Sequence, residues 1–499
     1  MLGLQFSDLW QAMSTEFIDA AVKFRPIRKW ALKQGEKQLY ETYVVNNVDG
    51  LPLKVQELRC LALTNLLHAV DKALVDGRIS PQVRRGVIKN FIGNLLIGVK
   101  KRSQPFKEKY GFYPPVFLTI SPTKRCNLQC TGCYAGSTAS DKNTLPYSIL
   151  NRIIADKREN WGSHFTVISG GEPLMYRNDG KDIFDLFKEN NDNYFLMYTN
   201  ATLINKEAAR KLAELGNVTP AISVEGWEKE TDERRGKGVF RKIQEAMDNL
   251  KSYGVPYGIS VTATRKNAEI VLTDEFMDYY FNEKGVIYGW IFQYMPIGRS
   301  YTVDLMITPE QRQWMLEKEL ELIYNKRIFL IDFWNGGPLS IGCLSAGRSG
   351  GYFYIDWNGN VAPCVFFPYH VANIKEVYES GGDLTTVLMS GYFKKIRDWQ
   401  DKYLNKHGKV GNLFAPCPIR DHHEVAYETI IEFNAKPMDD DAAQAIKDEE
   451  YHKKMYEYNA KTNRLLGRIW EREVYAGGDG NGDKRKTEEK EKEVIEFGR

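Results

Sequence analysis

From about residue 113 the chain alternates short apolar runs with helix-length amphipathic segments. The first run, Val116-Phe117-Leu118-Thr119-Ile120, is rich in β-branched and aromatic residues and is closed by Ser121-Pro122. It reads as a strand passing into a loop. The same texture predicts strands over 165–169, 194–199, 219–224, 257–262 and 289–295, with helices over 148–158, 206–215 and 240–253. Such alternation predicts an α/β fold with a parallel sheet and right-handed crossovers. In such a fold the functional loops sit at the C-terminal ends of the strands.

The flanks read differently. Residues 1–112 are predicted helical, with Leu9, Met13, Phe17 and Ala20 at helical spacing. Two blocks there mix basic and apolar residues. One holds Lys23, Arg25, Arg28, Lys29, Lys33 and Lys37 around Phe24, Ile27 and Trp30, and Pro26 must break or start a helix in it. The other covers 84–109 and includes Lys100-Lys101-Arg102. Two readings of these blocks stand: an amphipathic helical cap on the sheet domain, or a monotopic contact with anionic lipid head groups. After residue 305 the alternation breaks. Thr308 and Pro309 form an N-cap and N1 pair for a helix towards residue 324. Strands over 352–356 and 361–364 flank Asn358-Gly359, a two-residue hairpin turn. One long helix is predicted over 440–475, and the Gly-, Asp-, Lys- and Glu-rich stretch from residue 477 is predicted disordered. The expected units are therefore 1–112, 113–305, 306–430, 431–476 and 477–499.

A chain of 499 residues is long enough for more than one domain. Its 68 Lys and Arg nearly balance 65 Asp and Glu, so no global field argues for a nucleic-acid partner. Residues 1–19 lack a basic n-region and a long apolar core, and no stretch approaches the roughly 18 apolar residues of a membrane span. Of only 7 cysteines, six fall between residues 126 and 417, which favours metal ligation in a reducing compartment over a disulfide framework. A cytoplasmic protein is expected, peripheral to the membrane if the basic blocks bind lipid. Cys60, beside Leu61, reads as a small core residue.

The chemistry gathers at the strand ends. Cys126-Asn127-Leu128-Gln129-Cys130-Thr131-Gly132-Cys133 follows the first strand. Three thiolates in one loop can reach three irons of an iron–sulfur cluster and leave the fourth open to an outside ligand. A zinc or disulfide loop is the competing reading, and no fourth ligand sits nearby to close a zinc site. The second strand ends in Ser169-Gly170-Gly171-Glu172-Pro173-Leu174. Its glycines let backbone approach a ligand, and Glu172 offers an acceptor for an ammonium. The third ends in Tyr198-Thr199-Asn200; the fourth ends in Ser223-Val224-Glu225, with Arg234-Arg235 beyond. Gln293-Tyr294-Met295-Pro296-Ile297-Gly298-Arg299 closes the last.

These motifs, in this order, resemble the radical S-adenosylmethionine (SAM) enzymes. In that family the open iron chelates the amino and carboxylate groups of SAM, and reductive cleavage gives a 5′-deoxyadenosyl radical that abstracts a substrate hydrogen. The resemblance implies a partial (β/α)6 barrel of TIM type and an electron donor such as flavodoxin or ferredoxin. It implies a [4Fe-4S] cluster on Cys126, Cys130 and Cys133. SAM would be held by Gly170, Gly171, Glu172 and Pro173 at its amino group, by Asn200 and Ser223 at the ribose, and by Arg235 at the carboxylate. The family often has an aromatic residue before the third cysteine, where this chain has Gly132; Tyr134 would supply the adenine-side packing instead.

Cys343, Cys364 and Cys417, placed by the hairpin and by Ala415-Pro416-Cys417-Pro418, resemble the auxiliary-cluster extensions called SPASM and twitch. Three cysteines predict one auxiliary cluster, with Asp421, His422, His423, substrate or water as its fourth ligand. Relatives with such extensions commonly modify ribosomally made peptides or protein side chains, and that is the expected function. Competing readings are a lipid or isoprenoid substrate at the membrane surface, a small-molecule substrate, and a non-catalytic iron–sulfur scaffold or redox sensor.

Overall fold

A computed structural model of the chain describes residues 19–20, 23–405 and 409–475. At its centre is a ten-stranded sheet. Six strands follow one another in space as in sequence: β1 (Phe117–Ile120), β2 (Phe165–Ile168), β3 (Tyr194–Thr199), β4 (Val218–Val224), β5 (Gly258–Ala263) and β6 (Gly289–Gln293). Every junction among them is parallel. Helices Tyr147–Trp161, Lys206–Leu215 and Val239–Ser252 make the predicted crossovers. Strand bounds fall within two residues of the sequence-based ones. The reason is burial: β3 and β4 are covered on both faces, and such strands read as continuous apolar runs.

The alternation does not break at residue 305. Helix Pro309–Glu321 follows β6, and β7 (Leu330–Asp332) adds parallel to β6. Thr308 caps that helix, its hydroxyl accepting from Gln311 N at 3.1 Å while Gln311 returns a bond to Thr308 N at 3.0 Å. The predicted hairpin then reaches the opposite edge of the same sheet. Its first arm, β8 (Tyr354–Ile355), pairs parallel with β1; β9 (Asn360–Ala362) pairs antiparallel with β8, and β10 (Ala372–Asn373) with β9. A strand of three residues, such as β7, shows no periodicity, so the continuation of the sheet was hidden in the sequence.

Residues 440–475 are not one helix. Asp440–Ala445 ends, and Asp448 caps a new helix, Glu449–Trp470, by accepting from Tyr451 N at 3.0 Å. An Asp before Glu449 and Glu450 is an N-terminal signal that apolar periodicity overlooks.

The two basic blocks part company. Pro26 starts a helix, Arg25–Tyr40, instead of breaking one. Phe24, Ile27 and Trp30 beside it are 60%, 42% and 51% exposed. The block over 84–109 packs on the sheet domain: Ile88 and Phe106 are buried, and Phe91 meets Tyr194 at 5.4 Å. Asn90 and Asn94 donate to the carbonyls of Asn191 and Asp192, and Arg102 donates to Gly162 O at 3.2 Å. Cys60 is half-buried. Leu9, Met13, Phe17 and the stretch from residue 477 lie outside the described residues. Among the described residues no helix is long and apolar enough to cross a membrane.

Candidate active site

Cys126, Cys130 and Cys133 lie in the irregular loop that leaves the C-terminal end of β1. All three are free thiols; Cys126 is buried and the others half-buried. Backbone from neighbouring strand ends clamps this loop. Gly171 N donates to Thr123 O at 2.8 Å and Glu172 N to Arg125 O at 2.9 Å. A Cβ at Gly171 would stand 2.2 Å from Arg125 O, so only glycine permits the approach. Beyond β6, Arg299 donates from its backbone N to Cys133 O at 3.0 Å and from Nη1 to Cys130 O at 3.2 Å. In the sequence this arginine belongs to a strand-end run, 293–299, that would line either the adenine or the substrate side.

Gly132 has φ 64°, and a Cβ there would meet the Tyr294 ring at 2.6 Å. The aromatic ring beside the third cysteine is thus supplied by the segment after β6, which explains why residue 132 has no side chain. Tyr134 acts as a tie: its hydroxyl lies 2.7 Å from Ser169 Oγ and accepts from Gly170 N at 3.1 Å. Its ring is 6.1 Å from Phe366.

Glu172 is fully buried and serves as a hub. Oε1 accepts from Leu174 N at 3.2 Å and Thr199 Oγ1 at 2.8 Å, and Oε2 accepts from Asn200 N at 2.9 Å. Each carboxylate oxygen accepts two hydrogen bonds, so Oε2 keeps one free lone pair. Burial pushes the carboxyl up to about 7, against those three donors. Pro173 opens the short 3-10 turn Pro173–Met175. Asn200 donates to Asn127 Oδ1 at 2.9 Å and lies 3.7 Å from Cys126 Sγ, binding the end of β3 to the cysteine loop. Ser223 is half-buried near the end of β4, in register with Ser260 of β5.

Arg235 reaches the same loop, with Nη1 3.9 Å from Cys130 Sγ. Its Nε donates to Glu225 Oε1 at 2.8 Å, and Arg234 shares that oxygen. Burial disfavours the Arg235 charge, but Glu225 and the Cys130 thiol outweigh it and raise its pKa. Glu225, to which the sequence assigned no role, is buried, and its Oε2 has no hydrogen-bond partner. Burial, Glu172 and the other thiols push Cys126 up to about 12, so a metal binding there must displace its proton.

The three later cysteines also come together. Cys343 Sγ donates to Ser345 Oγ at 3.2 Å, and the neighbouring Cys417 thiol, Ser345 and Arg348 together lower the pKa of Cys343. Burial pushes Cys364 up to about 12, and Tyr352 Oη lies 3.0 Å from its sulfur. Asp421 is committed elsewhere: Arg312 grips both its oxygens, and Cys417 N donates to Oδ2 at 3.2 Å. His423 faces His452 at 2.8 Å, and His422 Nε2 meets Ala415 O at 3.1 Å. Tyr352 is thus a polar group beside these thiols that the sequence did not suggest. Among the described residues, no group of three Cys, His, Asp or Glu side chains is set to hold a single metal ion.

The aromatic side chains Phe292, Phe333, Phe366 and Trp334 meet one another with ring centroids 5.1 to 5.8 Å apart at their contacts, and Phe366 touches both loops, its N donating to Cys364 Sγ at 3.4 Å and its ring lying 6.1 Å from that of Tyr134. Free thiols, clamped loops with glycine-only approaches and an orphan carboxylate oxygen at Glu225 fit a bound cluster and a polar cofactor better than a disulfide loop.

Comparison with known proteins agrees with this chemistry. Residues 120–272 match the family model described as the Radical SAM superfamily. The chain is 31% identical over 146 residues to the Fe-coproporphyrin III synthase of Methanosarcina barkeri, covering 29% of this chain and 36% of the synthase. It is 28% identical over 298 residues to the mycofactocin maturase MftC of Mycolicibacterium smegmatis, covering 58% of this chain and 74% of the maturase. Among the first relatives it matches, the chain spans from about a third to three quarters of their length. Streptococcus suis SuiB, solved with its precursor peptide SuiA, aligns with a TM-score of 0.46 at 19% identity, over 62% of this chain and 70% of that one. Members of the superfamily use a [4Fe-4S] cluster and SAM. Residues 120–272 thus form a radical SAM domain.

Proposed function

We propose that the chain is a peptide- or protein-modifying radical SAM enzyme with one auxiliary cluster. The observation behind this reading is the pair of free-thiol triplets, joined through Phe366, which contacts Tyr134 beside Cys133 and donates from its backbone to Cys364 Sγ. Cys126, Cys130 and Cys133 would hold the SAM-binding cluster, and Cys343, Cys364 and Cys417 the auxiliary one. When bound, cluster and SAM supply a deoxyadenosyl radical that removes a substrate hydrogen. The chain's own groups bind, orient and exclude water. The free lone pair of Glu172 Oε2 would accept an N–H of the SAM amino group. Gly170, Gly171 and Pro173 shape the backbone around it, with Tyr134 tying that turn to the cysteine loop. Asn200 and Ser223 would hold the ribose, and Arg235, steadied by Glu225, the carboxylate. The likeness to a maturase supports a maturation-type reaction.

The reconstituted protein, with reductant and SAM under strict anaerobiosis, should release 5′-deoxyadenosine, and Cys126→Ala should abolish the release. A full complement of clusters with no deoxyadenosine would favour the scaffold reading. Candidate peptides should then show a mass change on incubation; an unchanged mass across a broad peptide panel would count against a peptide substrate.

A second reading has its own observation. The exposed Phe24, Ile27 and Trp30, flanked by Lys23, Arg25 and Lys29, favour peripheral contact with an anionic membrane, where each basic residue contributes about 1 kcal/mol. Co-sedimentation with phosphatidylserine vesicles, weakened by salt and by Trp30→Ala, tests it. Retention that ignores both changes would remove it.

A further inference from the structure

Two buried hydroxyls stand beside the later cysteines. Tyr352 Oη lies 3.0 Å from Cys364 Sγ, and the two residues are 2% and 4% exposed. Ser345 Oγ lies 3.2 Å from Cys343 Sγ and is also buried. Neighbouring groups hold both in place. Tyr352 N donates to Leu344 O at 2.9 Å and Gly347 N donates to Tyr352 O at 2.9 Å, so the loop of Cys343 carries the tyrosine that reaches Cys364. The Tyr352 ring stacks on that of Phe117 in β1 at 5.0 Å, with 7° between their planes. Gln400 Nε2 donates to Ser345 Oγ at 3.1 Å and to Ser345 O at 3.2 Å.

Metal binding decides which way these hydrogen bonds run. A thiol can donate, and Cys343 does so to Ser345. A cysteine that holds iron is a thiolate and has no proton to give. Its sulfur can only accept, and the hydroxyl must then supply the hydrogen. Ser345 Oγ already accepts from Gln400, which leaves its own hydrogen for the sulfur. A further donor, Phe366 N, lies 3.4 Å from Cys364 Sγ. The sulfurs of the first loop face nitrogen donors at longer range. Leu128 N and Asn200 Nδ2 lie 3.5 and 3.7 Å from Cys126 Sγ, and Arg235 Nη1 lies 3.9 Å from Cys130 Sγ.

We propose that Tyr352 and Ser345 donate hydrogen bonds to the Cys364 and Cys343 sulfurs of a bound auxiliary cluster and so set its reduction potential. The proposal rests on the two-cluster reading of the thiol sets. An electron added to an iron–sulfur cluster increases the negative charge on its sulfurs, and a donor aimed at a sulfur stabilises that reduced form. Burial strengthens the effect, because the surroundings screen the charge poorly. Both act through the ligands, as positioning residues.

A potentiometric titration of the reconstituted full-length protein with dithionite, followed by electron paramagnetic resonance of the reduced clusters, tests this without any turnover. Two waves are expected. The one missing when Cys343, Cys364 and Cys417 are all replaced by Ala belongs to the auxiliary cluster. Tyr352→Phe keeps the stacked ring and removes only the hydroxyl. It should retain about eight irons and lower the midpoint of the auxiliary wave. At a fixed potential the ratio of reduced to oxidised cluster should fall about tenfold, which is ~59 mV for one electron. Ser345→Ala should move the same wave in the same direction, and the first cluster's wave should stay in place. An auxiliary wave that neither variant lowers, or that moves no more than the first cluster's, would overturn the proposal. If Tyr352→Phe loses iron, Ser345→Ala decides alone. A parent with about four irons and a single wave would instead remove the auxiliary cluster itself, and the proposal with it.

Discussion

Burial and hydrogen bonding pull Glu172 in opposite directions, and burial prevails. Its folded pKa of about 7 exceeds the ordinary 4.5, so the fold favours the protonated form. That contribution is fully present below pH 4.5 and is lost as pH rises through 7. An amino N–H at Oε2 favours the carboxylate instead, so SAM binding near pH 6 should release a proton from Glu172 beside the one the chelating amino group loses. Calorimetry in two buffers of different ionisation enthalpy should then show more proton release at pH 6 than at pH 8.5. Glu172→Gln should reduce the release at pH 6. Gly132 offers a second test. Alanine there strains a positive φ and strikes the Tyr294 ring, a cost of roughly 1–3 kcal/mol within the cysteine loop. Iron bound at this loop should fall, and Gly132→Ala with Tyr294→Leu should recover part of it. Residue types at the strand ends were legible because glycine, cysteine and carboxylate announce their chemistry. Tyr294, Glu225 and Arg299 were not, because their roles depend on strands being adjacent in space.

Among the elements, helix Pro309–Glu321 links the two thiol sets. It follows β6, and its Arg312 grips Asp421 and donates to Phe414 O at 2.9 Å, fixing the segment that carries Cys417. Both charges are fully buried. Removing one partner of a buried pair costs about 3–5 kcal/mol. Arg312→Leu should therefore lower the denaturant midpoint sharply and strip the second thiol set of iron before the first. Thr308→Ala, which removes only the cap, should cost about 1 kcal/mol and leave iron at both sites. The cap was readable as Thr-Pro before an amphipathic run. The ion pair was not, since its partners lie 109 residues apart.

For the whole molecule, two clusters of the usual four irons predict about eight irons per chain. Replacing Cys343, Cys364 and Cys417 by Ala should leave about half, and a parent value near four would remove the auxiliary cluster. The parallel core was legible because buried strands are continuous apolar runs. The sheet's two outer additions were not: β7 is three residues long, and β8 joins β1 from more than 200 positions downstream.

That last pairing has a consequence for how the protein is made. Thr119 N bonds Phe353 O at 3.0 Å and Ser121 N bonds Ile355 O at 2.9 Å. On the ribosome, β1 has β2 beside it early, but its other side stays an unpaired edge until residue 355 has left the exit tunnel. The cysteine loop hangs from that half-finished strand through most of translation. Iron delivery to Cys126, Cys130 and Cys133 therefore belongs late in biogenesis, and a chain halted before residue 350 should aggregate along β1 even though its first cysteine motif is complete.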